Sequence, residues 1–401
     1  MRLLPFFFLI LTACRPGAPG GLSVIPRPVD AVLALQDTFA VLDGPSVLRH
    51  PGRFVWGGSV VRGDDGRYHM LVSTWEAGPD SLPFTQSWVL RSEIGYAVSD
   101  EPDRGFELQG IVLRGRRHDG DTLAWDAQMV HNPHLRRFDG RYYLYYTGSR
   151  DPGAPPPGQP GAALSKRDRV QQSQQIGVIA FDNFDQLLAG TFDRPARPLL
   201  SPRTRVKPGR VLAPSPPGTE ALPDNLIVTN PSVAYRPADR QYLLYFKGNI
   251  YDPAWRGVHG VALGNSPTGP FTALDRIMFD VRIADGSTAS TEDPYVWRHP
   301  GQGLFYAVVK DFTGHISREE KGLALLQSPD GIDWRPAEPP RLMSRALALA
   351  GGDTLRPHRL ERPQLLIDAG GRPLVLYAAC ALEDVNPRVA GGAFNVQVNL
   401  E

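Results

Sequence analysis

A five-fold recurrence limits what this chain can become. A polar or small pair, a small residue or proline, an apolar strand, a glycine-containing turn and an aromatic strand follow one another again and again. The openings are Trp56-Gly57-Gly58-Ser59-Val60, His131-Asn132-Pro133-His134-Leu135, Thr229-Asn230-Pro231-Ser232-Val233, Glu292-Asp293-Pro294-Tyr295-Val296 and Leu360-Glu361-Arg362-Pro363-Gln364. The answering strands run Arg67-Tyr68-His69-Met70-Leu71, Arg141-Tyr142-Tyr143-Leu144-Tyr145, Gln241-Tyr242-Leu243-Leu244-Tyr245, Phe305-Tyr306-Ala307-Val308-Val309 and Pro373-Leu374-Val375-Leu376-Tyr377. Third strands follow in most copies, as at Ile94-Gly95-Tyr96-Ala97-Val98 and Ile176-Gly177-Val178-Ile179-Ala180. Aromatic and β-branched residues favour strands, and a unit of three or four short strands cannot bury its faces alone. Five such units predict an all-β, five-bladed β-propeller. No long window has helical periodicity, which argues against bundles and doubly wound folds. The 39 prolines and 41 glycines suit a fold made of turns.

The recurrence divides the chain. Residues 1–14 read as a lipoprotein export signal: Arg2, then an apolar run from Leu3 to Leu11, then Leu11-Thr12-Ala13-Cys14, with Cys14 as the lipidated residue. That run is too short to span a bilayer, so the membrane enters only through the lipid anchor, and the chain is expected at the periplasmic or cell-surface side of the envelope. Residues 15–52 form a tether and N-terminal extension that packs on the first or last blade and helps close the ring, and residues 53–401 form the propeller. Blade boundaries fall near 54–113 for the first and from Trp125 for the second. The proline-rich stretches 151–157 and 201–222 read as long surface excursions. Asp64-Asp65-Gly66 and Asp139-Gly140 are hairpin turns.

Charge excludes one class of partner. The 43 basic and 42 acidic residues give a net charge of +1, which argues against nucleic acid. Beyond Cys14 only Cys380 remains, in the apolar run 374–381, where it reads as a buried filler. No Cys/His cluster has zinc spacing, so no metal site and no cofactor are expected, although a channel of this kind leaves room for a calcium or sodium ion.

In a propeller the innermost strands converge on the axis, so their ends form a ring. That ring would hold Trp56, His131, Asn132, Asn230, Glu292, Asp293, Glu361 and Arg362. Trp75, Lys247, Lys310 and Asp311 would join it from second strands, and Glu93 from the start of a third. Carboxylates are costly to bury, so Glu292 and Asp293 at a strand entrance need a purpose. Amides, charges and indoles together suit a polyhydroxylated ligand, and two carboxyl groups flanking a glycosidic bond suffice to hydrolyse it. Structural readings compete: Asn132, Asn230 and Asp293 as backbone caps, Glu361-Arg362 and Lys310-Asp311 as ion pairs, and His131, Trp56 and Trp75 as core.

The ordered phrases Val55-Trp56-Gly57-Gly58-Ser59, Ser92-Glu93-Ile94, His131-Asn132-Pro133, Asn230-Pro231-Ser232, Glu292-Asp293-Pro294, Lys310-Asp311 and Leu360-Glu361-Arg362-Pro363 span residues 54–380. Over that stretch the chain resembles the five-bladed glycoside hydrolases of family 43, related to families 32 and 130. The resemblance implies hydrolysis of oligosaccharides or polysaccharide side chains, with Glu292 matching the general acid. It also marks departures. The family's first-blade aspartate position holds Gly57-Gly58, and its third-blade position holds Asn230, so the second carboxylate is sought among Asp293, Glu361 and Asp311. A glycan-binding propeller without turnover, and a glycoside phosphorylase, are the alternatives.

Overall fold

The computed structural model describes residues 21–36, 38–77, 82–159, 161–203, 220, 222–250, 256–286, 288–383 and 390–401. The export signal and Cys14 lie outside the described residues, as does most of the excursion at 201–222.

An N-terminal hairpin, β1 (Val32–Gln36) and β2 (Phe39–Asp43), precedes the short strand β3 (Val47–Leu48). Blade I holds β4 (Arg53–Arg62), β5 (Tyr68–Glu76), β6 (Glu93–Ser99) and β7 (Glu107–Leu113), with helix α1 (Phe84–Arg91) inserted after β5. Blade II holds β8 (Met129–Phe138), β9 (Arg141–Ser149) and β10 (Gln175–Phe181), with α2 (Lys166–Gln171) before β10 and α3 (Phe184–Leu188) after it. Blade III is β11 (Thr229–Arg236), β12 (Gln241–Ile250), β13 (Arg256–Gly264) and β14 (Phe271–Ala273). Blade IV is β15 (Thr291–His299), β16 (Leu304–Asp311), β17 (Leu323–Ser328) and β18 (Arg335–Met343). A small hairpin, β19 (Leu347–Ala348) and β20 (Thr354–Leu355), leads to blade V: β21 (Arg359–Ile367), β22 (Pro373–Ala381) and β23 (Ala393–Asn399). Each blade is an antiparallel meander, and the sheets make the five-bladed propeller that the repeat predicts.

The ring is closed by the chain's own beginning. Strand β3 pairs antiparallel with β23 as the fourth strand of blade V, Val47 opposite Val396 and Leu48 opposite Asn395. The short helices α1 to α3 are the elements that the sequence reading lacks. None is long enough to show a period, and α1 begins without a side-chain cap.

Hydrophobic packing lies between blades, one cluster for each junction. Leu71, Ile94 and Tyr96 of blade I meet Val130, Leu144 and Tyr146 of blade II. Tyr145 and Val178 meet Val233 and Phe246, and Leu243 and Val261 meet Val296 and Phe305. Trp297 and Tyr306 meet Leu360, Leu376 and Phe394, and Val375 and Tyr377 return to Val55 and Met70. Alternation along each strand supplies both faces, which explains why the second strands are so aromatic: large side chains fill the widening wedge. Cys380 is fully buried in one of these clusters, and burial pushes its thiol far up. Trp125 and Trp297 are also buried, while Trp334 is half-buried and donates its indole N–H to the Gly331 carbonyl. At Asp139-Gly140 both residues have positive φ, 49° and 82°, as a tight hairpin turn requires.

Candidate active site

The innermost strand of every blade breaks its ladder at the same place. Two residues bulge against one between Val55 and Gly58, His131 and His134, Thr229 and Ser232, Glu292 and Tyr295, and Glu361 and Gln364. Four of the bulges end in proline, which has no N–H to lose there. The residue before each proline is left-handed: Asn132 (φ 53°), Asn230 (54°), Asp293 (59°) and Arg362 (53°). Asn and Asp tolerate that region, whereas an arginine in it is uncommon and is held by its surroundings. By register, Trp56 and not Gly57 is the blade I counterpart of these four.

These left-handed residues form a hydrogen-bonded arc at the axis. Asn132 Nδ2 donates to Asn230 Oδ1 (2.5 Å), and Asn230 Nδ2 donates to Asp293 Oδ1 (2.6 Å). From the other side the Arg362 backbone N–H donates to Asp293 Oδ2 (3.0 Å) and its Nη1 to Oδ1 (3.3 Å). Arg362 has space because its neighbour in blade I is Gly57: a Cβ there would lie 2.8 Å from Arg362 Cβ. Toward the other mouth of the channel a second set of bonds ties strand to strand. Ser59 Oγ accepts the Leu135 N–H, His134 Nε2 the Val233 N–H, and Ser232 Oγ the Val296 N–H, while Tyr295 donates to the Leu365 carbonyl. Inner strands have no backbone neighbour on their axial edge, so side chains satisfy those groups.

The residues just before the bulges are Val55, His131, Thr229, Glu292 and Glu361, facing Thr74, Thr147, Lys247, Lys310 and Ala379 on the second strands. Each of the three middle partners reaches across to the next blade. Thr147 Oγ1 lies 3.0 Å from Thr229 Oγ1, Lys247 Nζ 2.8 Å from Glu292 Oε1, and Lys310 is hydrogen-bonded to Glu361. Arg359 adds a second cation to Glu361 at 3.0 Å. The ion pairs read from adjacency in sequence are therefore corrected. Glu361 pairs with Lys310, and Arg362 pairs with Asp293, in both cases between blades.

A cavity of about 340 Å³ opens above this arc, lined by inner-strand residues from all five blades. Trp56, Trp75, His131, Asn132, Asn230, Lys247, Glu292, Asp293, Glu361 and Arg362 all line it. Lys310 stands behind Glu361, its ammonium 4.3 Å from the Phe312 ring centre. Two expected members are elsewhere. Glu93 sits on the third strand of blade I, where it pairs with Arg53 (2.6 Å) and Arg114 (2.9 Å). Asp311 is fully buried and accepts the backbone N–H groups of Thr313, Gly314, Ile316 and Ser317, which fixes its own turn. In the ladder it faces Thr291, one residue before Glu292, so alternation sends it to the opposite face from Lys310.

The sequence reading also missed residues. Phe84, Thr85 and Trp88 of α1, Gln171 and Gln174 beside α2, and Asn249 and Arg359 all line the cavity. Phe84 and Trp88 are four apart, on one helical face. Trp88 stacks on His131 with ring centres 4.6 Å apart, and Phe84 contacts Trp56 at 4.7 Å and Trp75 at 5.4 Å. His131 Nδ1 is 2.7 Å from Ser92 Oγ. The lining is thus aromatic where α1 and blade I contribute and ionic where blades IV and V do.

The electrostatics separate the carboxyl groups. Burial pushes Glu292 upward, but the charges of Lys247 and Lys310, the hydrogen bond from Lys247 and the charge of Arg362 together hold it below the usual carboxylate range. Asp293 moves the other way: burial, then the Glu292 charge, raise it, with Arg362 pulling back. Burial, with Arg362 nearby, keeps His131 neutral. The general-acid role that the resemblance implies for Glu292 runs against this field, which favours its ionised form. Among the described residues no group of three or more His, Cys, Asp or Glu is arranged to hold a metal ion, and no helix is long and apolar enough to cross a membrane.

No protein-family model matches the sequence, and no curated protein matches it. Solved structures do match in fold. A family 117 glycoside hydrolase from the marine bacterium Zobellia galactanivorans is 14% identical with a TM-score of 0.56, covering 95% of this chain and 90% of its own. A structure described only as a glycoside hydrolase is 12% identical (TM-score 0.55; 89% and 90% covered). A family 43 β-xylosidase/α-arabinofuranosidase from a compost metagenome, in complex with xylotriose, is 12% identical (TM-score 0.51; 94% and 94% covered). The chain shares the five-bladed propeller of these glycoside hydrolases.

Proposed function

We propose that this protein is a glycoside hydrolase whose reacting groups are the carboxylates of blades IV and V at the axial cavity. The observation that carries the reading is the placement of Glu292, Asp293 and Glu361 in one cavity with the aromatic side chains of Trp56, Phe84 and Trp88. An aromatic wall suits the apolar face of a sugar ring, and the amides and cations suit its hydroxyls. Environments that push neighbouring carboxyl groups apart in pKa mark acid and base roles. Glu292, held ionised by two lysines, is then the base or nucleophile. Asp293, pushed upward, is the first candidate to carry the proton, and Glu361 is the second. Fold kinship with enzymes that include a xylotriose complex supports a carbohydrate substrate. The export signal and Cys14 complete the proposal with a site of action at the cell envelope; radiolabelled palmitate incorporation that disappears in Cys14→Ala tests it.

A binding role without turnover is favoured by one specific observation: each of the three carboxylates is already ion-paired, to Lys247, Arg362, and Lys310 with Arg359. One experiment separates the two. Wild type and Glu292→Gln are assayed on a panel of aryl glycosides and oligosaccharides, with and without phosphate, and sugar binding is measured calorimetrically. Turnover by wild type alone supports the hydrolase. Binding by both with turnover by neither establishes the binder, and turnover only with phosphate establishes a phosphorylase.

A further inference from the structure

Among the described residues, three tryptophans and a phenylalanine line the axial cavity, and they are not held alike. Trp56, Trp75 and Phe84 are 6%, 1% and 4% exposed and belong to one packed cluster with Phe54, Ala379 and Ala393. Trp75 also donates its indole N–H to Ser87 Oγ (3.0 Å) inside α1. Trp88 differs: it packs against that cluster yet stays half-buried at the cavity.

Trp88 is nonetheless fixed. Its Nε1 donates to the Thr85 carbonyl (3.1 Å), one turn back on α1. Its ring stacks on His131, the centres 4.6 Å and the planes 23° apart. That imidazole is itself set by Ser92 Oγ, 2.7 Å from Nδ1, and burial keeps it neutral, so the contact is a ring stack rather than a cation over an indole. The end of the helix is clamped to blade II. The Leu90 carbonyl accepts from Gln128 Nε2 (2.8 Å) and Arg117 Nη2 (3.3 Å), and the Ser92 carbonyl takes the Val130 N–H (3.2 Å). An indole held still while part of it faces water loses side-chain freedom without the gain of full burial. A ligand with an apolar face supplies that burial, and a rigid platform costs little further ordering when the ligand arrives.

We propose, on the carbohydrate reading of this cavity, that Trp88 is the residue on which the sugar ring stacks. Trp56, Trp75 and Phe84 brace it. Affinity for the ring is then set by α1, an insertion in blade I, separately from the carboxylates of blades IV and V.

Calorimetry on the full chain with a panel of methyl glycosides tests this, because a methyl aglycone has no ring of its own to stack. For a sugar that binds, Trp88→Ala should weaken affinity roughly tenfold, the scale of a stacked aromatic contact. On the matching aryl glycoside kcat should stay within about twofold, as expected when only uniform binding is lost. Trp88→Phe keeps an aromatic face and should restore most of the affinity, whereas Trp88→Leu fills the space without one and should not. Affinity in Trp88→Ala within about twofold of wild type, or equal losses in Trp88→Phe and Trp88→Leu, overturns the proposal and leaves the hydrolase reading intact. Weakened binding by Trp88→Ala with turnover by no form supports the platform and removes the hydrolase reading. If wild type binds no sugar of the panel, the carbohydrate reading and the platform fall together.

Discussion

Blades II and IV break their inner ladders at the same point, yet blade II places His131 there, facing Thr147, and blade IV places Glu292, facing Lys310. One residue later, inside the bulge, the contrast repeats, with Asn132 in blade II and Asp293 in blade IV. The backbone is common to both, so it does not set the chemistry. Blade II gives a neutral wall of imidazole, amide and stacked indole. Blade IV gives two carboxyl groups on consecutive residues, each compensated by a cation from a neighbouring blade. A ring built this way lets the blades differ in chemistry on one backbone plan, while each charged residue depends on the next blade for its partner.

The contrast is broken most severely by Glu292→Gln, which removes charge and leaves shape. Turnover on a productive glycoside should fall on the order of a thousandfold with KM little altered, the scale of a lost acid or base. His131→Gln should fall by only about tenfold, the scale of one misplaced hydrogen bond. Steady-state kinetics decide, and equal losses at the two positions would erase the distinction between the blades.

Asp293→Asn makes the blade IV bulge a copy of Asn230 in blade III. The guanidinium of Arg362, 2% exposed, then loses its only directly paired carboxylate among the described residues and keeps just the more distant charges of Glu292 and Glu361. Breaking one side of a buried pair costs roughly 3–5 kcal/mol. Urea unfolding measures it, and a change below about 1 kcal/mol would mean that the amide arc tolerates either residue.

Lys247→Thr copies Thr147 and leaves Glu292 without its closest cation. Glu292 has a folded pKa below its ordinary value of 4.5, so its pairing contributes stability that is present above that value and lost as pH falls through the lower folded one. In the variant the carboxyl moves upward, and the acid limb of the pH–rate profile should shift to higher pH. An unmoved limb would show that Lys310 and Arg362 suffice.

The smallest effect on activity is expected at Glu93→Gln. Its pairs with Arg53 and Arg114 lie outside the cavity, so kcat should be unchanged, while loss of the largely buried pair with Arg53 should lower stability by roughly 1–3 kcal/mol in urea unfolding.

What the sequence made legible follows from locality. The bulge motifs and aromatic second strands are local, and they sufficed for five blades and for most of the ring. The partners of the ring residues depend on how one blade is rotated against the next. No spacing rule joins Lys247 to Glu292 or Lys310 to Glu361, although both lysines stand opposite pre-bulge residues. Glu93 and Asp311 were misplaced because a carboxylate near a strand end shows neither which strand it occupies nor its phase. Trp88 went unseen because α1 is eight residues long, too short for a helical period to declare itself.

The pairing of β3 with β23 sets an order of events during synthesis. Residues 47–48 emerge early from the ribosome, yet their ladder partner among the described residues lies at 395–396. Four blades can form as meanders of near neighbours, but the last sheet waits for nearly the whole chain before its outer edge is covered. Until β23 is made, β3 has no strand to pair with and its edge is open to strands from other molecules, so quick closure of the circle guards against misassembly.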